Sequence, residues 1–168
     1  MAKLRKSMAE TPIKHDSDKD IYRGQLFIFL DDAPLAFCSD CSLELTAEEV
    51  DTSNKMCSGN WNMSLPGKKS FTASAESLLT RLEGAMSFDT LLKKFIAGET
   101  LSFFFGDAKV SEETETGGKF DKDTAKPNYT GRIMITSLSL KSTNGQIASS
   151  SASFKGVGAL TPVEPVTV

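Results

Sequence analysis

Residues 35–46 read LAFCSDCSLELT. Apolar and polar side chains alternate through the second half of this stretch. Phe37, Cys41, Leu43 and Leu45 fall on one face of an extended chain, and Asp40, Ser42, Glu44 and Thr46 on the other. A period of two marks a strand with one face in a core and the other in water. The pattern recurs downstream. Phe71, Ala73 and Ala75 alternate with Ser70, Thr72 and Ser74, while Ala148, Ala152 and Phe154 alternate with Ser149, Ser151, Ser153 and Lys155. One-sided strands of this kind belong to antiparallel sheets.

Working outward, QLFIFL at 25–30 and LSFFF at 101–105 are apolar on both faces and read as strands buried on both sides. Asp31-Asp32-Ala33-Pro34 between the first pair of strands is turn chemistry. Residues 47–55 are polar and without a useful period, and are expected to form an exposed connection. Alternation resumes with Cys57, Trp61, Met63 and Leu65, and Pro66-Gly67 is expected to end that strand. In 129–140 the apolar phase slips between Ile135 and Leu138, which predicts a bulge at Thr136 or Ser137. Asn144-Gly145 predicts a hairpin turn of type I′. Residues 106–128 are polar, with Gly117-Gly118 and Pro127, and are expected to be a long mobile loop.

The period changes twice. Ala75, Leu78, Leu79 and Leu82 fit a short helix ending at Gly84. A stronger helix follows, with Phe88, Leu91, Leu92, Phe95 and Ile96 forming one apolar stripe expected to pack on the sheet. Ser87 suits its N-cap, Asp89 its first turn, and Gly98 its C-terminus. The fold class expected is mainly β: an antiparallel β-sandwich or open barrel with one flanking amphipathic helix. Residues 1–20 read as a flexible N-terminal arm, 21–160 as the β domain and 161–168 as a C-terminal arm.

Composition narrows the function. The chain of 168 residues carries a net charge of −3, so it lacks the basic surface that grips nucleic-acid phosphates. Phe is used 11 times against 1 Trp and 2 Tyr, and Phe, lacking a polar handle, is core or interface material. No segment has the run of apolar residues that a membrane helix needs. Lys3, Arg5 and Lys6 are not followed by the apolar stretch of a secretory signal.

Catalytic and metal-binding patterns are sparse. Cys38-Ser39-Asp40-Cys41 has the C-x-x-C spacing, but on a regular strand residues i and i+3 face opposite ways. Without a bulge the two sulfurs share neither a metal nor a redox step, and they read as small apolar fillers. The single histidine, His15, lies in the N-terminal arm. The carboxylate pairs Glu48 with Glu49 and Glu112 with Glu113 lie in polar stretches and read as solvated. No phosphate-binding or dinucleotide fingerprint is present, so no cofactor, metal or catalytic residue is assigned. The charge pattern is more informative. Between Asp31 and Asp51 there are seven acids and no Lys or Arg.

The order of several weak motifs carries a family resemblance. Thr46-Ala47-Glu48-Glu49-Val50-Asp51-Thr52-Ser53 leads to Gly59 and Trp61, then to Pro66-Gly67 and Ser70-Phe71. Tyr129-Thr130-Gly131, Ile135-Thr136-Ser137-Leu138 and Phe154-Lys155-Gly156-Val157-Gly158 follow. Taken together over residues 24–160, the chain resembles the major tail tube proteins of long-tailed phages, whose fold is similar to that of type VI secretion and contractile injection tubes. The resemblance implies a non-enzymatic virion protein, assembled in the host cytoplasm. Its protomers would form stacked hexameric rings through which DNA passes without tight binding. It also implies tape-measure, tail terminator and baseplate partners, and no membrane. Glu48, Glu49, Val50, Asp51, Thr52, Ser53 and Asn54 are then expected to contact a neighbouring subunit. Asp40, Glu44, Ser149, Ser151 and Ser153 are expected to line the lumen, whose acidic or neutral character would let phosphates slide. The competing readings are the inner tube of a contractile or secretion-like system, and a monomeric β-sandwich binding module.

Overall fold

The computed structural model describes residues 16–165, except 23, 55, 57–60, 83 and 84. A helical turn, α1 (Ser17–Asp20), precedes β1 (Leu26–Leu30) and the short β2 (Ala33–Pro34). The long hairpin β3 (Cys38–Asp51) and β4 (Ser64–Leu78) leads to α2 (Phe88–Ala97). Then come β5 (Thr100–Thr114), β6 (Gly117–Lys122), β7 (Asn128–Lys141), β8 (Ser149–Gly156) and β9 (Thr161–Val163). The strands form one antiparallel sheet in the order β2-β1-β5-β7-β8-β4-β3, with β6 on β5 and β9 on β7.

The sheet curls until its ends approach without joining, which makes an open barrel. Inside it Ile28, Leu30, Leu101, Phe103, Phe105, Ile133 and Ile135 meet Phe71, Ala73, Ala75, Ala152 and Phe154 from the other half. The rings of Phe71 and Phe103 lie 6.0 Å apart across this core. The two-sided runs behave as expected. Phe29 and Phe104 are buried on the opposite face of β1 and β5, edge to face at 5.5 Å. There Phe120 of β6 stacks on Phe27 at 5.3 Å, and Lys122 lies 5.2 Å over the Phe104 ring and pairs with Asp32.

Three segments differ from expectation for one reason: strand pairing overrides weak local pattern. Residues 47–51 continue β3, and Pro66 lies inside β4 next to a bulge in which Gly67 and Lys68 face Glu48 of β3. Pro66 is tolerated because that part of β4 pairs on one side only. Residues 75–78 are strand, and the 79–82 stretch is not helical. Residues 106–122 are largely the β5–β6 hairpin rather than a loop, turning at Glu115-Thr116. The turn at 143–146 closes through Gln146 N–H donating to the Thr143 carbonyl at 3.0 Å. Of its central pair only Gly145 has positive φ, so it is not type I′. The bulge expected near Thr136 is present, with Thr136 the extra residue of β7 opposite β8.

Of 1–20 only the last part is described and contains α1, while 161–163 pair with β7 as a strand. In α2, Gly98 ends the helix in the left-handed conformation, donating to the Lys94 and Phe95 carbonyls, but the Ser87 side chain makes no capping bond. Leu91 is buried and Phe88 half-buried, whereas Leu92, Phe95 and Ile96 face outward, Ile96 at 76% exposure. The expectation that the whole stripe packs on the sheet is therefore corrected. The helix is turned so that the line Phe88–Leu91–Lys94 lies inward, and Lys94 Nζ is held 2.9 Å from Asp31 and 3.4 Å from Glu99. None of its helices is long and apolar enough to cross a membrane, among the described residues.

Candidate functional site

Beyond Leu45↔Phe71 the β3–β4 hairpin loses its third strand, because β8 begins to pair with β4 only at Thr72. Residues 46–51 and 64–70 therefore form a two-stranded arm, roughly 20 Å long at about 3.3 Å per residue. Two-stranded ribbons are marginal in water. This one leaves Leu45, Val50, Met63 and Leu65 exposed, with Leu45 at 65% and Leu65 at 60%. Of these only Val50 was among the expected contact residues; Leu45, Met63 and Leu65 went unnoticed in the sequence as interface candidates. Their signal was the continued alternation of Leu43, Leu45 and Leu65 past the point where the core ends.

The candidates 48–54 lie at the arm's end, but not as one loop. Glu48, Glu49, Val50 and Asp51 are in β3, and only Thr52, Ser53 and Asn54 follow it. The tip is organised by short-range bonds. Ser53 N–H donates to Asp51 at 2.8 Å and Met56 N–H to Asn54 at 2.8 Å, while Thr52 N–H donates to the Met63 carbonyl at 2.8 Å. The Ser53 side chain and backbone N–H hold the Asp51 carboxyl below its ordinary value. Cys57 and Gly59 lie outside the described residues.

The five lumen candidates share one face. Cross-strand register aligns Asp40 with Glu76, Ser151 and Ser139, and aligns Ser42 with Ser74, Ser153 and Ser137. Glu44 aligns with Thr72 and Lys155, and Ser149 with Leu78 and Lys141. The result is a polar surface over β7, β8, β4 and β3, on the side away from the core. Its hydroxyls bond one another: Ser42 to Ser74 at 2.6 Å, Thr46 to Ser70 at 2.8 Å, Ser139 to Ser151 at 2.5 Å. A shallow depression of about 160 Å³ lies beside the Thr136 bulge, lined by Ser42, Glu44, Ser74 and Ser153.

The structure corrects one reading of the cysteines. β3 has an extra residue, Ser39, because Cys38 pairs with Ser77 and Asp40 with Glu76. Cys38 and Cys41 consequently stand opposite Ser77 and Ala75 on the same, inward face. Both line a cleft of about 410 Å³ in the seam between β3 and β1. The Cys41 thiol donates to the Leu26 carbonyl at 3.3 Å across that seam. Among the described residues no group of three or more His, Cys, Asp or Glu could hold a metal ion.

No family model matches the chain, and no curated protein matches it by sequence. Solved structures do. In the tail of an empty gene transfer agent particle, refined with C6 symmetry, a chain is 21% identical with a TM-score of 0.60, over 81% of this chain and 93% of that one. The SPP1 tail tube is 10% identical with a TM-score of 0.59, over 88% and 81%. The sheath-tube complex of an extracellular contractile injection system, PVC, includes a chain 13% identical with a TM-score of 0.56, over 89% and 95%. The fold of this chain is thus the fold found in tail tube and injection-system tube proteins.

Proposed function

We propose that the chain is the repeating structural unit of a phage or phage-like tail tube, a conduit for DNA ejection rather than a catalyst. The observation that carries this reading is the β3–β4 arm, an apolar-sided ribbon that the protomer leaves uncovered, on a fold shared with tube proteins. Copies of the chain are its natural cover. An end-to-side contact that closes makes a ring, and a second contact stacks rings. The open barrel adds to this, since β3 ends one side of the sheet and, among the described residues, its outer edge pairs with no further strand, an edge that a neighbour can use.

The β domain at 21–160 forms the ring body in this reading, with six protomers per turn, as in the C6 tail of the gene transfer agent. The outward residues of 48–54 meet the adjacent ring or protomer, and the face bearing Asp40, Glu44, Ser149, Ser151 and Ser153 lines the lumen. The tube resides in the virion and is assembled in the host cytoplasm, with tape-measure, terminator and baseplate proteins as partners. A second reading, the inner tube of a contractile injection system, draws on the likeness to the PVC complex. Electron microscopy of the purified chain, with sedimentation to count protomers, tests the proposal. Six-fold rings or tubes are expected. A monomer at every concentration would leave the reading of a solitary β-sandwich binding module. Binding of a sheath protein to assembled tubes would favour the contractile reading.

A further inference from the structure

Tube assembly leaves unused the one chemical motif in the chain, the C-x-x-C of β3. We propose that Cys38 and Cys41 form a two-electron redox site, closing to an intramolecular disulfide on reaction with a low-molecular-weight disulfide. The Ser39 bulge is the basis, because it turns two thiols that a regular strand would separate onto one face, one same-face step apart. Such a step is about 6.6–6.8 Å along a strand, near the upper limit of the Cα spacing that a disulfide spans. Closure therefore needs a small local shift. β3 can supply it, being an end strand held by β4 on one side only. The cleft of about 410 Å³ gives a small disulfide access, and neither cysteine is fully buried.

The two sulfurs are not equivalent. The adjacent Cys38 side chain holds the Cys41 thiol below its ordinary value, against desolvation and the Asp40 carboxylate, while the Cys38 thiol itself donates to the Asp40 carbonyl at 3.2 Å. The neighbouring Cys41, with burial, pushes Cys38 up. With Cys41 as the attacking thiolate the exchange balances. The Cys41 sulfur bonds to one sulfur of the oxidant, the oxidant's S–S bond breaks, and the departing small thiolate takes up the proton that Cys41 gave up. Cys38 then loses its proton and attacks the Cys41 sulfur. The Cys38–Cys41 bond forms, the mixed disulfide breaks, and the second small thiolate leaves with that proton. Two cysteine thiols are oxidised and one small disulfide is reduced to two thiols. Closure also removes the thiol proton that joins Cys41 to the Leu26 carbonyl across the seam.

The inference goes beyond the tube reading and is tested on the full chain, assembled or not. Cys57→Ser removes the third cysteine. After incubation with glutathione disulfide and acid quenching, this variant should show no alkylatable thiol and a peptide carrying Cys38 and Cys41 lighter by two hydrogens, both reversed by dithiothreitol. Adding Cys38→Ser should trap a stable glutathione adduct on Cys41. Adding Cys41→Ser instead should leave a glutathione adduct on Cys38 and no intramolecular bridge. Two persistent free thiols in the folded variant would overturn the proposal, provided the urea-unfolded chain oxidises in parallel. So would stable adducts without a bridge, or bridges only between molecules.

Discussion

Phe71 shows how a single residue explains marks that the sequence displays without their reason. Its ring lies under the backbone of β7 and β8 at Gly131 and Gly156. A Cβ at Gly131 would come within 3.1 Å of the ring, and one at Gly156 would overlap it. The glycines of the Tyr129-Thr130-Gly131 and Phe154-Lys155-Gly156 motifs are therefore packing requirements set by a residue on another strand, and local pattern cannot reveal that. Gly156→Ala should destabilise the protomer by about 1–3 kcal/mol, the usual cost of overpacking, read as a lower urea midpoint. Asp31 offers a pH test. Its carboxylate accepts from Lys94 Nζ and from Ser102 N–H, each at 2.9 Å, and the Lys94 bond first of all holds it below its ordinary value. A depressed carboxyl contributes fully above the unfolded value of about 3.9 and loses that contribution as pH falls through the lower folded value. Asp31→Asn suits the same positive φ of 47°. It should lower stability near neutral pH by less than about 1 kcal/mol, because the pair is half-exposed. The gap between the two proteins should close at acid pH in urea titrations.

At the scale of elements, legibility followed burial. The strands at 25–30 and 101–105 and the alternating half of β3 were readable because their apolar residues face a core and keep its period, the Thr136 bulge showed as a slip of that period, and α2 showed as a helical stripe although only Leu91 of it is buried. The distal arm and the β5–β6 hairpin were not, since most of their residues are polar and exposed and the alternation of the few apolar ones does not mark a core. The face that collects Asp40, Glu44, Ser149, Ser151 and Ser153 was legible as polar phase on separate strands. Its continuity depends on register, which only the pairing supplies. For the cysteines the spacing was visible, but the bulge that makes it matter was not. In α2 the stripe was legible, but not its rotation, which brings Lys94 to Asp31 of a distant turn. Leu91→Ala should then cost about 2–5 kcal/mol, whereas Phe95→Ala, at 44% exposure, should cost the isolated protomer less than about 1 kcal/mol. Replacing 48–65 by a short Asn-Gly turn should leave the barrel folded by circular dichroism and abolish rings. Normal rings from that variant would sink the assigned role of the arm.

For the whole molecule the decisive quantity is the charge of the polar face, where Asp40, Glu44 and Glu76 meet Lys155 and Lys141. Asp40→Lys with Glu44→Lys would give that face the sign that attracts phosphates. Tubes should still assemble, and DNA should pass more slowly, with the delay shrinking as salt rises. Unchanged transit through intact tubes would place the face elsewhere than the lumen. The hydroxyl pairs of this surface have a further consequence. Ser42 is engaged with Ser74, Thr46 with Ser70, and Ser139 with Ser151. Each pair spends one of its two hydroxyl protons on itself, so a polymer drawn across the face finds fewer donors on which to stick. Resistance to sliding would then come from the viscosity of the intervening water rather than from adhesion to the wall. Friction of that kind grows with speed and vanishes at rest, so a stalled strand would restart without first having to break free.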